Sequence, residues 1–147
     1  MNTFIKREYD YALRICAYLA GHFNKGLVPI SRIASLLYIS RPFTTKIVYR
    51  LKSQNIIKTV QGKDGGVYLA QPPERTSVYD VLRAMGFNSR VNECLDENHT
   101  CPMEAICPLH TFFEIQETEL LKSFQSKTLL DVAFYDSDLK ENLRQRL

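Results

Sequence analysis

The sequence predicts a mainly α fold with a small β-hairpin, arranged as a winged helix-turn-helix followed by a long C-terminal helix. Apolar residues recur at helical spacing near both ends of the chain, and a run rich in β-branched residues is interrupted by the turn GKDGG at residues 62–66. The charge is also divided. Residues 1–75 hold 12 Lys and Arg against 4 Asp and Glu, whereas residues 76–147 hold 7 against 12. The basic half predicts a polyanion-binding module, and the acidic half a module for control or assembly.

Length and composition indicate one globular unit. The chain has 147 residues, of which 45% are hydrophobic and 24% charged, and it contains no run of the roughly 20 apolar residues that a membrane span needs. Asp10 and Arg14 interrupt the apolar N-terminal segment, which argues against a secretory leader. We therefore expect a cytoplasmic protein with no membrane partner. Its thiols would stay reduced, so clustered cysteines indicate metal or redox chemistry.

Three helices are expected before the hairpin. The first covers residues 9–20 and ends at Gly21, a favoured C-cap residue, and a shorter helix covers residues 30–38. After a tight turn, Ser40 is expected to cap the third helix, which tolerates Pro42 in its first turn.

The third helix is expected to bind DNA, because one face is apolar and the other carries donors that suit phosphates and base edges in the major groove. An ordinary solvated face would look similar, but the preceding turn, the following hairpin and the basic half favour DNA binding. The predicted contact residues, on the turn, this helix and the wing, are Ser40, Arg41, Pro42, Thr45, Lys46, Tyr49, Lys52, Gln61 and Lys63.

The second half is expected to hold two more helices. Thr76 or Ser77 can cap a short helix that stops at Gly86. A long helix follows over residues 108–125, with more large apolar groups than a lone peripheral helix can bury, which favours a homodimer. Packing on its own N-terminal domain is the alternative. These groups are Leu109, Phe112, Phe113, Ile115, Leu120, Leu121 and Phe124.

Cys94, Cys101 and Cys107 lie within 14 residues of one another. They lack the close C-x(2–4)-C pairs of zinc sites, so we expect the separated thiolates to bind an iron–sulfur cluster. A zinc site and a metal-free disulfide switch are the alternatives. The fourth cysteine, Cys16, lies among apolar residues of the first helix and is expected to be a small core residue.

Several motifs together resemble the Rrf2 family of winged-helix transcriptional regulators, which includes the iron–sulfur sensors NsrR, RirA and IscR. The resemblance extends to about residue 132. It implies a non-enzymatic, homodimeric repressor or activator that binds a roughly palindromic DNA operator, with a cluster held by the three cysteines that senses nitric oxide, redox state or iron supply. The motifs are DYALR at residues 10–14, IA at 33–34, KIVYRLKSQNIIKTVQGKDGGVYLA at 46–70, the three cysteines, and TLLDV at 128–132.

The resemblance leaves the fourth cluster ligand open between Asp10 of the partner subunit and His110, with His99 a weaker candidate. The motifs around residue 10, in the third helix and in the wing are closer to NsrR and RirA, so Asp10 and a [4Fe–4S] cluster are preferred to His110 and a [2Fe–2S] cluster. Gln61 stands where many relatives carry a minor-groove arginine, and we expect Lys63 to supply that charge.

The expected organisation has three parts. Residues 1–75 form the DNA-binding domain, residues 76–135 form the cluster-binding loop and dimerisation helices, and residues 136–147 form a polar C-terminal tail.

Overall fold

The computed structural model of the protein describes residues 1–140. They are mainly helical with one antiparallel hairpin, as predicted. Short 3-10 turns at Pro73–Arg75, Glu93–Leu95 and Glu104–Ile106 join the longer elements, and residues 136–140 are helical. No helix of this part of the chain is long and apolar enough to cross a membrane. The main elements are α1 (Arg7–Gly21), α2 (Ile30–Leu37), α3 (Arg41–Ser53), β1 (Ile57–Val60), β2 (Gly66–Leu69), α4 (Val78–Ala84) and α5 (Pro108–Ser126).

The turn between α2 and α3 forms the helix-turn-helix. Tyr38 adopts a left-handed conformation with φ 56° and ends α2. Ser40 occupies the N-cap position of α3, as predicted, but its hydroxyl makes no capping hydrogen bond. Its carbonyl oxygen accepts hydrogen bonds from the amide and hydroxyl of Thr44, both at 2.9 Å. The amide bond is the first i to i+4 hydrogen bond of the helix, and the hydroxyl of Thr44 adds a second donor to the same oxygen.

The wing is held to the domain core by its second strand. β1 and β2 pair with Ile57 opposite Leu69 and Val60 opposite Gly66. On the outer side of β2, Val67 exchanges two backbone hydrogen bonds with Val28, of 2.9 and 3.1 Å. A side chain at Gly66 would place its Cβ 2.7 Å from the carbonyl oxygen of Val28, so this close approach requires glycine.

One hydrophobic core unites α1, α2, α3, the wing and α4. The predicted apolar face of α3 is inside, with Ile47 and Leu51 buried and Phe43 partly buried against the cluster. Burial of this apolar surface is the main stabilising contribution to the domain. The largest side chains that are fully buried are Ile15, Tyr18, Val28, Ile33, Ile47, Val48, Leu51, Ile57, Val67, Val81, Leu82 and Leu129.

The second half of the chain begins with a capped helix. Ser77, rather than Thr76, caps α4, because its hydroxyl accepts a 3.0 Å hydrogen bond from the amide of Asp80 while its own amide donates to the Asp80 carboxylate at 2.8 Å. This reciprocal pair is a capping box.

Only the C-terminal half of α5 packs on the core of its own chain. Leu121 and Phe124 pack against the core cluster, and the Phe124 ring meets Phe87 edge-on with centroids 6.4 Å apart. The N-terminal half of α5 turns large apolar side chains outward. The most exposed are Leu109, Phe112 and Ile115, at 62%, 52% and 49%.

The segment after α5 returns to the first half of the chain. The amide of Leu129 donates to the carbonyl of Thr76 at 2.8 Å, and the amide of Phe134 donates to the carbonyl of Ala17 at 3.0 Å. The three-part division of the chain stays a prediction. Residues 141–147 of the expected tail lie outside the described residues.

Candidate DNA interface and thiol loop

The outer face of α3 carries the predicted DNA-binding side chains. Arg41, Pro42 and Lys46 are exposed, and Thr45 is half-buried with its hydroxyl donating to the carbonyl of Arg41 at 2.9 Å. Tyr49 is 64% exposed, which is unusual for so large an aromatic side chain. This face is therefore available to a partner.

A cleft lies between this helix and the wing. It has a volume of about 390 Å³ and lies between the N-terminus of α2, one side of α3 and the hairpin. Five of the nine predicted DNA-contacting residues line it, whereas Ser40, Pro42, Thr45 and Lys46 lie outside that lining. The five are Arg41, Tyr49, Lys52, Gln61 and Lys63.

The cleft is basic and its cations are uncompensated. Lys52 Nζ lies 5.8 Å from the ring centroid of Tyr49, a cation–π arrangement. Within residues 1–140, none of Arg41, Lys52 and Lys63 forms an ion pair with a carboxylate. Free cations beside an exposed helix face are the electrostatic footprint of a phosphate-binding surface.

The three clustered cysteines lie on the segment 92–107, which we call the thiol loop. Each of the three is a free, half-buried thiol. Cys94 lies in the turn Glu93–Leu95, and its sulfur accepts a 3.3 Å hydrogen bond from the side-chain amide of Asn92. Cys107 is the N-cap residue of α5, as expected from Pro108.

The fourth cysteine has a different environment. Cys16 is fully buried in α1, and burial raises the pKa of its thiol to about 12. Such a thiol is protonated and inert at neutral pH, as predicted for a core residue.

The three candidates for a fourth ligand lie in different places. His110 is in the first turn of α5, and its Nδ1 atom is buried without a hydrogen-bond partner among the described residues, while its Nε2 atom lies 3.9 Å from Glu104. Asp10 pairs with Arg14 in α1 and lines an open groove that contains no residue of the thiol loop. His99 lies 3.6 Å from Glu93.

The donor set suits an iron–sulfur cluster. Among residues 1–140, no three His, Cys, Asp or Glu side chains are grouped so that they could hold a single metal ion. A cluster, however, is bound by thiolates on separate iron atoms. Three free thiols on one loop, followed three residues later by His110, whose buried Nδ1 atom has no hydrogen-bond partner within residues 1–140, have the chemistry that such a cluster needs. The same thiols are also the reactants of a disulfide switch.

The sequence analysis did not identify Glu117, which binds the two residues that precede the thiol loop. Glu117 is the one buried residue of α5, and it binds Arg90 and the amide of Val91. Its spacing gave a usable signal, because Phe113, Glu117 and Leu121 recur every four residues on the inward face. An acidic residue on such a face implies a buried basic or amide partner.

Comparisons with known proteins agree with this architecture. A sequence profile of the Rrf2 family, described as an iron-dependent transcriptional regulator, matches residues 5–134. The HTH-type transcriptional regulator NsrR of Halalkalibacterium halodurans is 29% identical over 92% of this chain and 93% of its own.

Two solved structures share the fold. CymR, the global cysteine regulator of B. subtilis, superposes with a TM-score of 0.73 at 23% identity, over 90% of this chain and 97% of its own. The IscR of T. potens superposes with a TM-score of 0.69 at 21% identity, over 100% of this chain and 92% of its own. The winged-helix arrangement predicted from the sequence is thereby confirmed.

Proposed function

The chain belongs to the Rrf2 family of transcriptional regulators, which are not enzymes, and on that premise we propose that an iron–sulfur cluster on the thiol loop controls its affinity for an operator. One observation carries the proposal: Cys94, Cys101 and Cys107 are all free and half-buried on a single loop that leads directly into α5. The proposed protein acts in the cytoplasm, where thiols and clusters persist.

DNA binding is assigned to α3 and the wing. The exposed face of α3 would enter the major groove, while Gln61 and Lys63 on the wing would reach the neighbouring backbone or minor groove. The cleft between them supports this assignment, because it gathers Arg41, Lys52 and Lys63 without a compensating carboxylate among the described residues.

The proposed active form is a homodimer. The outward apolar side chains of the N-terminal half of α5 would be buried against a second protomer, which also supplies a second α3. Two recognition helices related by a two-fold axis match a roughly palindromic operator.

Cys94, Cys101 and Cys107 would hold the cluster, for which we favour the [4Fe–4S] form over [2Fe–2S]. When bound, such a cluster supplies a redox-active group that reacts with nitric oxide or oxygen and is lost when iron is scarce. The fourth ligand we propose is Asp10 of the partner subunit, on the family resemblance. The Nδ1 atom of His110 has no hydrogen-bond partner in the part of the chain that the structure describes, which supports His110 as the alternative. His99 is the weakest of the three.

The loop has two attachments through which its chemistry would reach the DNA-binding half. Residues 90 and 91 are bound to α5 through Glu117, and Cys107 begins α5 itself. A change in loop conformation would therefore shift α5 relative to the wing and α3. A coupling free energy of about 1–3 kcal/mol changes operator affinity by about 5- to 150-fold.

The test is a comparison of operator affinity in oxygen-free protein before and after the cluster is removed. Visible absorption and native mass spectrometry would establish the cluster type and the dimer. We expect an affinity change of at least about fivefold. Cys16→Ala is the matched control, because it should bind the cluster like the unmodified chain, whereas Cys101→Ser should not. Equal affinities with and without cluster would contradict the proposal.

A metal-free thiol switch is the second candidate, supported by the same three free thiols. Two thiols would lose two electrons and two protons to an oxidant such as a peroxide and form one disulfide, which a dithiol reductant reverses. Colourless, iron-free protein whose operator affinity still responds to peroxide, and recovers on reduction, would favour this candidate over the cluster.

A further inference from the structure

Helix α5 buries an acidic residue while it exposes apolar ones. Glu117 is 8% exposed and is the single buried residue among the 19 of this helix. Burying a carboxylate is unfavourable unless it is paired and hydrogen-bonded. The carboxylate of Glu117 therefore requires hydrogen-bond partners, and Arg90 and Val91 provide them.

Each carboxylate oxygen of Glu117 accepts a hydrogen bond. Arg90 Nη1 donates to Oε1 at 2.7 Å, and the backbone amide of Val91 donates to Oε2 at 2.9 Å. The hydrogen bond from Arg90 to Glu117 is the main cause that raises the pKa of this guanidinium above its usual value. One side chain of α5 thus fixes two consecutive residues just before the thiol loop.

The connection continues from Val91 through the peptide bond to Asn92, and from there to Cys94, the first cysteine of the thiol loop. Asn92 donates from its side-chain amide to the sulfur of Cys94 at 3.3 Å, and its side-chain oxygen accepts from the amide of Glu93 at 3.0 Å. Val91 and Asn92 therefore link the buried carboxylate of Glu117 to Cys94.

Arg90 also interacts electrostatically with two acidic residues that follow Cys94 in the thiol loop. The carboxylates of Asp96 and Glu97 add to the rise in its pKa, so both lie within electrostatic reach of the guanidinium. Arg90, Asp96, Glu97 and Glu117 line one polar cavity of about 350 Å³. Arg90 therefore lies in the electrostatic field of Asp96 and Glu97, which follow Cys94 in the sequence, and of Glu117 on α5.

We infer that Glu117 is a positioning residue for Cys94, which it fixes to α5 through Arg90 and Val91, while Cys101 and Cys107 are placed independently of it. The regulatory meaning of this attachment rests on the proposed function of the thiol loop. The attachment of Cys94 to α5 does not depend on that proposal, because the hydrogen bonds that form it are present in the metal-free chain.

The first experiment measures iodoacetamide labelling of each cysteine by mass spectrometry in reduced, metal-free, full-length protein. Glu117→Gln keeps the shape of the side chain but removes its charge. We expect Cys94 to be labelled about fivefold faster relative to Cys107, the change in local opening that follows from losing one ordinary hydrogen bond. Glu119→Gln, an exposed acid on the same helix, is the matched control and should leave the ratio unchanged.

Two outcomes would overturn the inference. An unchanged ratio of Cys94 to Cys107 labelling in Glu117→Gln would show that the carboxylate does not position Cys94. Equal acceleration at all the cysteines, buried Cys16 included, would show a general loss of structure rather than a local one. Arg90→Met provides a second variant, for which we expect a smaller change in the same direction and non-additivity with Glu117→Gln.

A spectroscopic measurement connects the attachment to the proposed cluster. In cluster-loaded protein, Glu117→Gln should change the visible circular dichroism, which reports the surroundings of the thiolates, while Glu119→Gln should not. An unchanged spectrum alongside faster Cys94 labelling would remove the link to the cluster and overturn that part of the inference. Protein that never binds a cluster would overturn the proposed function but leave the labelling result standing.

Discussion

The hydroxyl of Tyr18 donates a 2.9 Å hydrogen bond to Asp136 Oδ1, joining residues that are 118 positions apart. The same carboxylate lies 3.8 Å from Arg32 on α2 and 3.8 Å from His22 at the end of α1. Asp136 therefore connects the segment that follows α5 to the first two helices of the chain.

Removal of this hydroxyl should lower stability at neutral pH. Tyr18→Phe leaves the ring in place, so we expect a loss of about 1 kcal/mol in the free energy of unfolding, measured with urea. Tyr68→Phe, on the exposed side of the wing, is the control and should cost almost nothing. A loss shared by both variants would contradict the role given to Asp136.

The effect should also depend on pH. Burial, and then the hydrogen bond to Asp136, raise the pKa of Tyr18 above its usual value. Its stabilising contribution is therefore present below the ordinary tyrosine pKa of about 10 and is lost as the pH rises through the raised value. We expect the stability difference between Tyr18→Phe and the unmodified chain to shrink above pH 10, as measured by urea unfolding across that range.

Gly21→Ala should destabilise the protein although alanine is the better helix former. A Cβ atom at this position would lie 1.7 Å from the carbonyl oxygen of Phe134, so the returning segment must move. We expect a loss of about 3 kcal/mol, seen as a lower Tm. Gly26→Ala is the comparison, because its φ of 100° is strained but no atom of residues 1–140 lies within 4 Å of the added carbon. A smaller loss in Gly21→Ala than in Gly26→Ala would contradict this close packing.

The two serines at N-cap positions should respond differently to alanine. Ser77→Ala removes the capping box of α4 and should cost about 1 kcal/mol in urea unfolding. Ser40→Ala removes a hydroxyl that caps nothing, so stability should stay within about 0.5 kcal/mol, while operator affinity can still fall. Equal losses of stability would show that the Ser40 hydroxyl does cap α3.

The basic cleft predicts that operator affinity depends on salt concentration through its lysines. Lys52→Gln and Lys63→Gln should each weaken operator binding and reduce the slope of log K against log salt concentration by about 1, because each removes one phosphate contact. Lys122→Gln, on the exposed surface of α5, is the matched control for charge. An unchanged slope for both cleft variants would exclude these lysines from the interface.

Two alanine variants would identify the fourth ligand of the proposed cluster. With Asp10 as the ligand, Asp10→Ala should change the electron paramagnetic resonance spectrum of the reduced cluster and shorten its lifetime in air, whereas His110→Ala should do neither. The reverse result would assign the position to His110, whose buried Nδ1 atom is unpartnered among the described residues.

Local signals in the sequence predicted the helices, the wing and the position of Cys107 at the start of α5. Periodicity, a glycine-bearing turn and a proline act within a few residues, so a single chain reveals them. The N-cap position of Ser40 was also predicted, but not the absence of a hydrogen bond to its hydroxyl, because that bond depends on three-dimensional geometry as well as on residue type. Asp136 could not be foreseen, since Tyr18 lies 118 positions away and no local pattern records that contact.

Cys107 precedes the end of α5 that does not pack on the core, whereas Leu121 and Phe124 fix the opposite end. The 19 residues of α5 span about 28 Å at 1.5 Å per residue. A tilt of about 5° about the packed end would therefore displace the end that begins at Cys107 by about 2.5 Å. In the proposed homodimer that end carries the exposed apolar side chains of the subunit contact, so a reaction at Cys107 would change the separation of the two recognition helices.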